Sequence, residues 1–465
     1  MMNRLKILLL TLVLLVPNIV LAATYYTDGT LSSDCTSSDY SIANRTCTGS
    51  DGNGYNTIQE AVNVATTAGD MVKVRTGTYA EAVSMTTSGT TNTYITLQGY
   101  SAETATITPT STQTGVNLNG KDWLKIMNLT IDGGQNGIRY MPGSSTKPSK
   151  YIIIANNIIK NQLCPNEPQA GISGRADNWE IYGNTLSGQD TTGGTGCRQM
   201  IFYGSNYSTL DHVCELNIHD NIFDAHLGAD NLHLGGCHNV TIEDNVFNAG
   251  SGGTGHDDAV ALECTENVTI NHNIFNNAQN FDIDAQTCAV GHNLNNTVIT
   301  NNVFITSNGR TVHIKDGSYT ITGNTFYNST MNAILTAEGF TSGSSIGTIK
   351  NNIFSNNTNY NDVFDYSEQT INYNLYYNNG TPNQNDDFGA NTISSNPIFI
   401  STSVFDGADN IWWTSDDGLY LQDGSPAIGA GESGVDMGAY DYITSGCSTC
   451  RGRNFSKGGF KGGFQ

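Results

Sequence analysis

Four short segments of this sequence gather ionisable side chains at close spacing: Asp230 with His233, Asp257 with Asp258, Asp282 with Asp284, and Arg310 with His313 and Lys315. Converging carboxylates bind a hard cation such as Ca2+, with water completing its shell, which makes Asp257, Asp258, Asp282 and Asp284 a candidate metal set. A lysine or histidine in a shifted environment can move a proton. Lys315 is therefore the candidate base, Arg310 an alternative, and His313 a second base or acid. Asp230 and His233 are candidate substrate contacts. These roles require the four segments to lie side by side.

Strict alternation gives each segment its facing. Leu232, Leu234, Val260, Leu262, Ile283, Val312 and Ile314 are expected to point inward. His233, Asp282, Asp284, Thr311, His313 and Lys315 then point outward, with Asp230, Asp257 and Asp258 where a turn enters its strand. What stacks the strands is a repeat of alternating apolar residues, an asparagine and an apolar pair. It reads Val240-Thr241-Ile242-Glu243-Asp244-Asn245-Val246-Phe247, then Val268-Thr269-Ile270-Asn271-His272-Asn273-Ile274-Phe275. Asn157, Asn184, Asn221, Asn245, Asn273, Asn302, Asn324, Asn352 and Asn374 align, 22 to 37 residues apart. Period-two strands within such a repeat predict one solenoid coil per copy, with like residues stacked about 4.8 Å apart. The asparagines are expected to sit at tight left-handed bends, hydrogen-bond one another and carry no catalysis. The Phe that follows each should pack inside.

On this repeat the sequence resembles the right-handed parallel β-helix proteins of the pectate-lyase-like superfamily. The implied fold is all-β, a single-stranded right-handed parallel β-helix with a short N-terminal capping helix over residues 56–65. The resemblance also implies that the strand before each asparagine-bearing one forms the substrate groove, where lyases pair carboxylate-bound calcium with a Lys or Arg base. The expected activity is calcium-assisted β-elimination at a uronate of an acidic polysaccharide. A polygalacturonase-like hydrolase is the alternative, since Asp257-Asp258-Ala259-Val260 is similar to that family's paired-aspartate strand. The family's other motifs are altered here: its Asn-Thr-Asp strand reads Ala229-Asp230-Asn231. A third reading is a non-catalytic surface or glycan-binding protein, with Tyr203, Tyr207, Trp412 or Trp413 stacking on sugars.

Composition agrees with a long, turn-rich β protein. There are 51 glycines, where a usual ~7% would give about 33. Charged residues make up 13%, with 42 acids against 20 bases and a net charge of −22. So low a charge content argues against coiled coils and helical bundles, and the acidic sign argues against a nucleic-acid partner. Residues 1–22 read as a signal peptide: Arg4 and Lys6 precede an apolar stretch over residues 7–16 that is too short to span a bilayer, and Val20-Leu21-Ala22 ends it. The expectation is a secreted monomer with no stable membrane insertion. Residues 23–445 form the β-helix domain, with cap and first coils over 23–110 and a closing segment over 396–445. A basic Gly-rich tail occupies 446–465. Ten cysteines in an exported chain favour disulfides, with Cys35–Cys47 and Cys164–Cys197 as candidate pairs. The Asp-rich turns near Asp406 and Asp416 are either a calcium site or solvated turns.

Overall fold

The computed structural model describes residues 21–140, 149–163, 170–188, 198–203, 214–224, 229–248, 258–286, 294–336, 345–358, 363–364, 368–380 and 388–443. Its strands form three parallel sheets of 14, 12 and 11 strands, numbered here sheets 1, 2 and 3. Strands of one sheet come from successive coils, and each full coil contributes one strand to each. With the right-handed crossover that parallel strands adopt, this is a right-handed parallel β-helix. Helix α1 (Ile58–Val64) is its only α-helix among the described residues. Thr57 caps it by accepting from the Glu60 amide, and its hydroxyl donates to Glu60 at 2.6 Å. Ile58, Ala61 and Val62 then pack on the first coils. No helix among the described residues is long and apolar enough to cross a membrane.

Within each coil the order is sheet 3, sheet 1, the asparagine turn, then sheet 2. All nine aligned asparagines are at most 1% exposed. The Asn245 side chain donates to Ile218 O, Glu243 O and Asn273 Oδ1 at 2.8–3.0 Å. Its own Oδ1 accepts from the backbone and side chain of Asn221, both at 3.0 Å. The left-handed residue is not the asparagine but the one before it: Asn156, Gly183, Asp220, Asp244, His272, Asn301 and Asn351 have φ of 54–64°. That bend turns the asparagine inward, where it replaces the backbone partners the turn removes. Phe223, Phe247, Phe275, Phe304, Phe326 and Phe354 follow as an interior stack with centroids 4.5–4.9 Å apart.

Cys35 pairs with Cys47 as expected, Cys214 pairs with Cys237, and Cys264 is also disulfide-bonded. Cys164, Cys197 and the tail lie outside the described residues. In the closing segment Asp416 accepts from the Ala408 amide, and Asp417 from the Trp413 amide and the Tyr440 hydroxyl. Trp412 and Trp413 pack against this segment's apolar cluster, and Trp413 stacks on His272 at 3.5 Å.

Candidate functional site

Five neighbouring strands of sheet 3 carry the site: Arg198–Tyr203, Leu232–Gly235, Val260–Glu263, Phe281–Gln286 and Arg310–Ile314. Their register aligns His233, Ala261, Asp284 and His313 in one row across the outer face. Inward-facing Leu232, Leu234, Val260, Leu262, Ile283, Val312 and Ile314 are fully buried.

At one end of the row, Asp230 Oδ2 accepts from Arg198 Nε and meets His233 Nδ1, both at 3.0 Å. Beyond His233, its Nε2 lies 3.6 Å from Glu263 Oε2. At the other end, His313 Nδ1 meets Asp284 Oδ1 at 2.8 Å, and the second Asp284 oxygen accepts from Gln286. Phe281 stacks on the His313 ring at 5.2 Å, with the Arg310 guanidinium 5.9 Å from the Phe281 centroid. A carboxylate on Nδ1 makes that nitrogen the proton-bearing one in the neutral ring, so Nε2 carries the lone pair. The face therefore holds two carboxylate–histidine pairs. Their histidines are three rungs apart, roughly 14 Å at the usual strand spacing, too far to share one bond.

Asp258 stands between these pairs and accepts from Asn280 Nδ2 at 2.8 Å. Burial, then the charges of Asp230 and Asp284, push its carboxyl well above the usual range. Asp230 goes the other way: against the cost of burial, the His233 hydrogen bond and the Arg198 charge hold it low. Asp230, Asp258, Asp284, His233 and His313 are all 6% exposed or less. Charges that deep on the outer face of a solenoid do not serve the ladder and are costly unless paired.

Two expected residues face the wrong way. Asp282 is fully buried and bonds to the Ser307 hydroxyl, and Thr311 is bonded to Ser329 Oγ at 2.7 Å inside the coil. The cause is visible two rungs from Asp282, where Asp230 touches His233 across three residues, so the intervening Asn231 and Leu232 both turn inward. Asn231 there donates to Gln199 Oε1 at 2.9 Å. A bend at the head of each strand thus breaks the alternation on which the sequence reading relied. Burial raises Asp282 to about 8 against the Ser307 hydrogen bond.

The four-carboxylate calcium set does not assemble. Asp282 is interior, Asp284 is already held by His313 and Gln286, and Asp257 lies outside the described residues. No group of three or more His, Cys, Asp or Glu is placed to hold a metal ion among the described residues. The donors among the described residues do not fit the ion. Lys315 is partly exposed just past its strand, its amide bonded to Ala285 O at 3.0 Å. Tyr207 and the side chain of Tyr203 lie outside the described residues. Sequence reasoning missed Arg198, Glu263 and Phe281. The apolar alternation of Met200 and Phe202 marks the Arg198 strand, but only the register shows which coil it joins.

A family model described as a right handed beta helix region matches residues 114–303. Among solved structures, the PL6 family alginate lyase AlyGC, as a mutant, aligns with a TM-score of 0.52 at 14% identity. That alignment covers 78% of this chain and 54% of that one, so this chain spans about half of the enzyme's length. An alginate lyase from Paenibacillus sp. str. FPU-7 aligns at 0.43 and 15% identity, covering 69% of this chain and 94% of that one. The pectate lyase Pel9A aligns at 0.39 and 13%, covering 92% and 98%. These likenesses are of fold. No curated protein matches the sequence.

Proposed function

We propose that the protein is a secreted polysaccharide lyase that cleaves a uronate-containing chain by β-elimination on the outer face of sheet 3. The observation that carries this reading is the His313–Asp284 pair, buried on that face and flanked by Arg310 and Lys315. His313 takes the proton beside the uronate carboxylate through Nε2, and Asp284 stabilises the imidazolium that forms. The electrons of that C–H bond become the new C=C bond as the bond to the leaving glycosidic oxygen breaks. Lys315 returns a proton to that oxygen. Arg310 meets the uronate carboxylate and neutralises its charge. His313 thereby replaces Lys315 as the base. The lyase names among the structural relatives support the substrate class, and the disulfides support export.

A panel of uronic-acid polymers followed by the absorbance of unsaturated ends tests the reading. Turnover is expected to survive a chelator and to be lost in His313→Asn. Reducing ends without that absorbance would sink elimination. They would favour a second reading, hydrolysis by Asp258 as acid and Asp230 as base, which rests on the opposite shifts of two carboxyls on adjacent rungs.

A further inference from the structure

The corner leading from sheet 3 into sheet 1 stacks one residue per coil: Tyr94, Trp123, Tyr151, Asn178, Glu215, Asn239, Asn267 and Asn296. From Trp123 onward all have a left-handed φ of 44–60°. Asparagine tolerates that conformation and a bulky aromatic does not, so Trp123 at 56° and Tyr151 at 58° are held where the backbone disfavours them. Later coils show that Asn closes the same corner. The aromatic pair is therefore not what the turn requires.

The rings form one partly exposed cluster. Trp123 and Tyr151 stack with centroids 4.0 Å apart and planes 13° from parallel, and Tyr94 meets Trp123 edge-on at 5.4 Å. Lys125 lies 4.6 Å over the Tyr94 ring. The stack ends at Tyr151, because the next rung offers the shorter Asn178. Around that step stand Lys150, whose side chain is 38% exposed and pairs with Asp177, and Asn178, whose amide donates to Asp177 at 2.8 Å. A flat ring face bordered by amide, carboxylate and ammonium groups suits a pyranose, whose C–H face is apolar and whose rim is polar. The acid Glu180 nearby is bonded to His219. The corner borders sheet 3, about 14 Å from the His233 rung along the axis at the usual spacing.

We propose that Tyr94, Trp123 and Tyr151 form a glycan-binding platform, in which a uronate ring of the polymer continues the stack on Tyr151 with its carboxylate toward Lys150. The substrate class rests on the reading above, and the platform would hold a distal stretch of the chain being cleaved. Trp123→Asn and Tyr151→Asn install the residue that this column uses in later coils, so the corner should close as before. Affinity electrophoresis of the full chain in gels containing alginate, polygalacturonate or neutral xylan gives the readout. At least one polyuronate should retard the wild type. Each variant should bind it about tenfold more weakly, with an unchanged or higher melting temperature, and Tyr151→Phe should restore retardation. Unaltered retardation in the Asn variants, no retardation of the wild type by any polymer, or a fall in melting temperature alongside lost binding would each overturn the platform. Binding through Tyr151 without any turnover would instead overturn the lyase reading and leave the platform standing.

Discussion

At the turn out of sheet 1, Asn221, Asn245, Asn273 and their counterparts repeat the same hydrogen bonds coil after coil. On the outer face of sheet 3, the same coils place His233, Ala261, Asp284 and His313 at one equivalent position. The first region is buried by the chain's own geometry, and each asparagine serves its neighbours. The second has no repeat to satisfy, so its residues are unlike one another and are stabilised by pairs that differ from rung to rung. Uniformity along the axis therefore marks what holds the solenoid, and departure from it marks what the solenoid presents. The corner column that changes from Tyr94, Trp123 and Tyr151 to asparagine shows the same contrast within one row.

Substitutions can break that division. Asn245→Ala should have the largest effect, because it removes three donated bonds and leaves the Asn221 backbone amide without its acceptor in the interior. Each buried group left unpaired costs about 1–3 kcal/mol, so a loss above ~4 kcal/mol in chemical denaturation is expected. A loss below 1 kcal/mol would mean the ladder is redundant. His313→Asn should do the reverse, since its amide can still meet Asp284. Turnover should drop about 10²–10⁴-fold, as for loss of a general base, with stability changed by no more than ~1–2 kcal/mol. Equal effects on stability and turnover would erase the distinction. Lys315→Ala, next in size, should lower turnover about tenfold if Lys315 is the proton donor rather than the base. Abolished turnover with an active His313→Asn would reverse the two roles.

The ladder was legible in the sequence because repetition is itself a signal: Val246-Phe247 and Ile274-Phe275 follow their asparagines at a fixed offset. The stacking of strands followed from it, and with it the meeting of Asp284 and His313 on adjacent strands. The bend at the head of each sheet 3 strand was not legible. It turns two successive residues inward, and nothing in Phe281-Asp282-Ile283-Asp284 distinguishes that from plain alternation. Plain alternation puts Asp282 among the calcium ligands, whereas it belongs to the interior. Arg198 was missed for a related reason, because coil-to-coil register depends on loop lengths that sequence periodicity does not fix.

That inward turn makes Asp282 the finest test of the comparison. It shares a strand with Asp284, and both are buried, but only Asp284 is held by a histidine. With its folded pKa raised to about 8, Asp282 keeps its proton at pH values where the unfolded chain has lost it. Its stabilising contribution is thus complete below about pH 4 and declines as pH rises, levelling off above the folded value. Between about pH 4 and 8 this one group should lower the unfolding free energy by up to ~1.4 kcal/mol per pH unit. Asp282→Asn retains the shape, does not titrate and should remove that slope, which denaturant unfolding at a series of pH values would measure. Unaltered pH dependence in the variant would mean that Asp282 is ionised in the folded protein, and so faces a cation or solvent as the alternation first suggested.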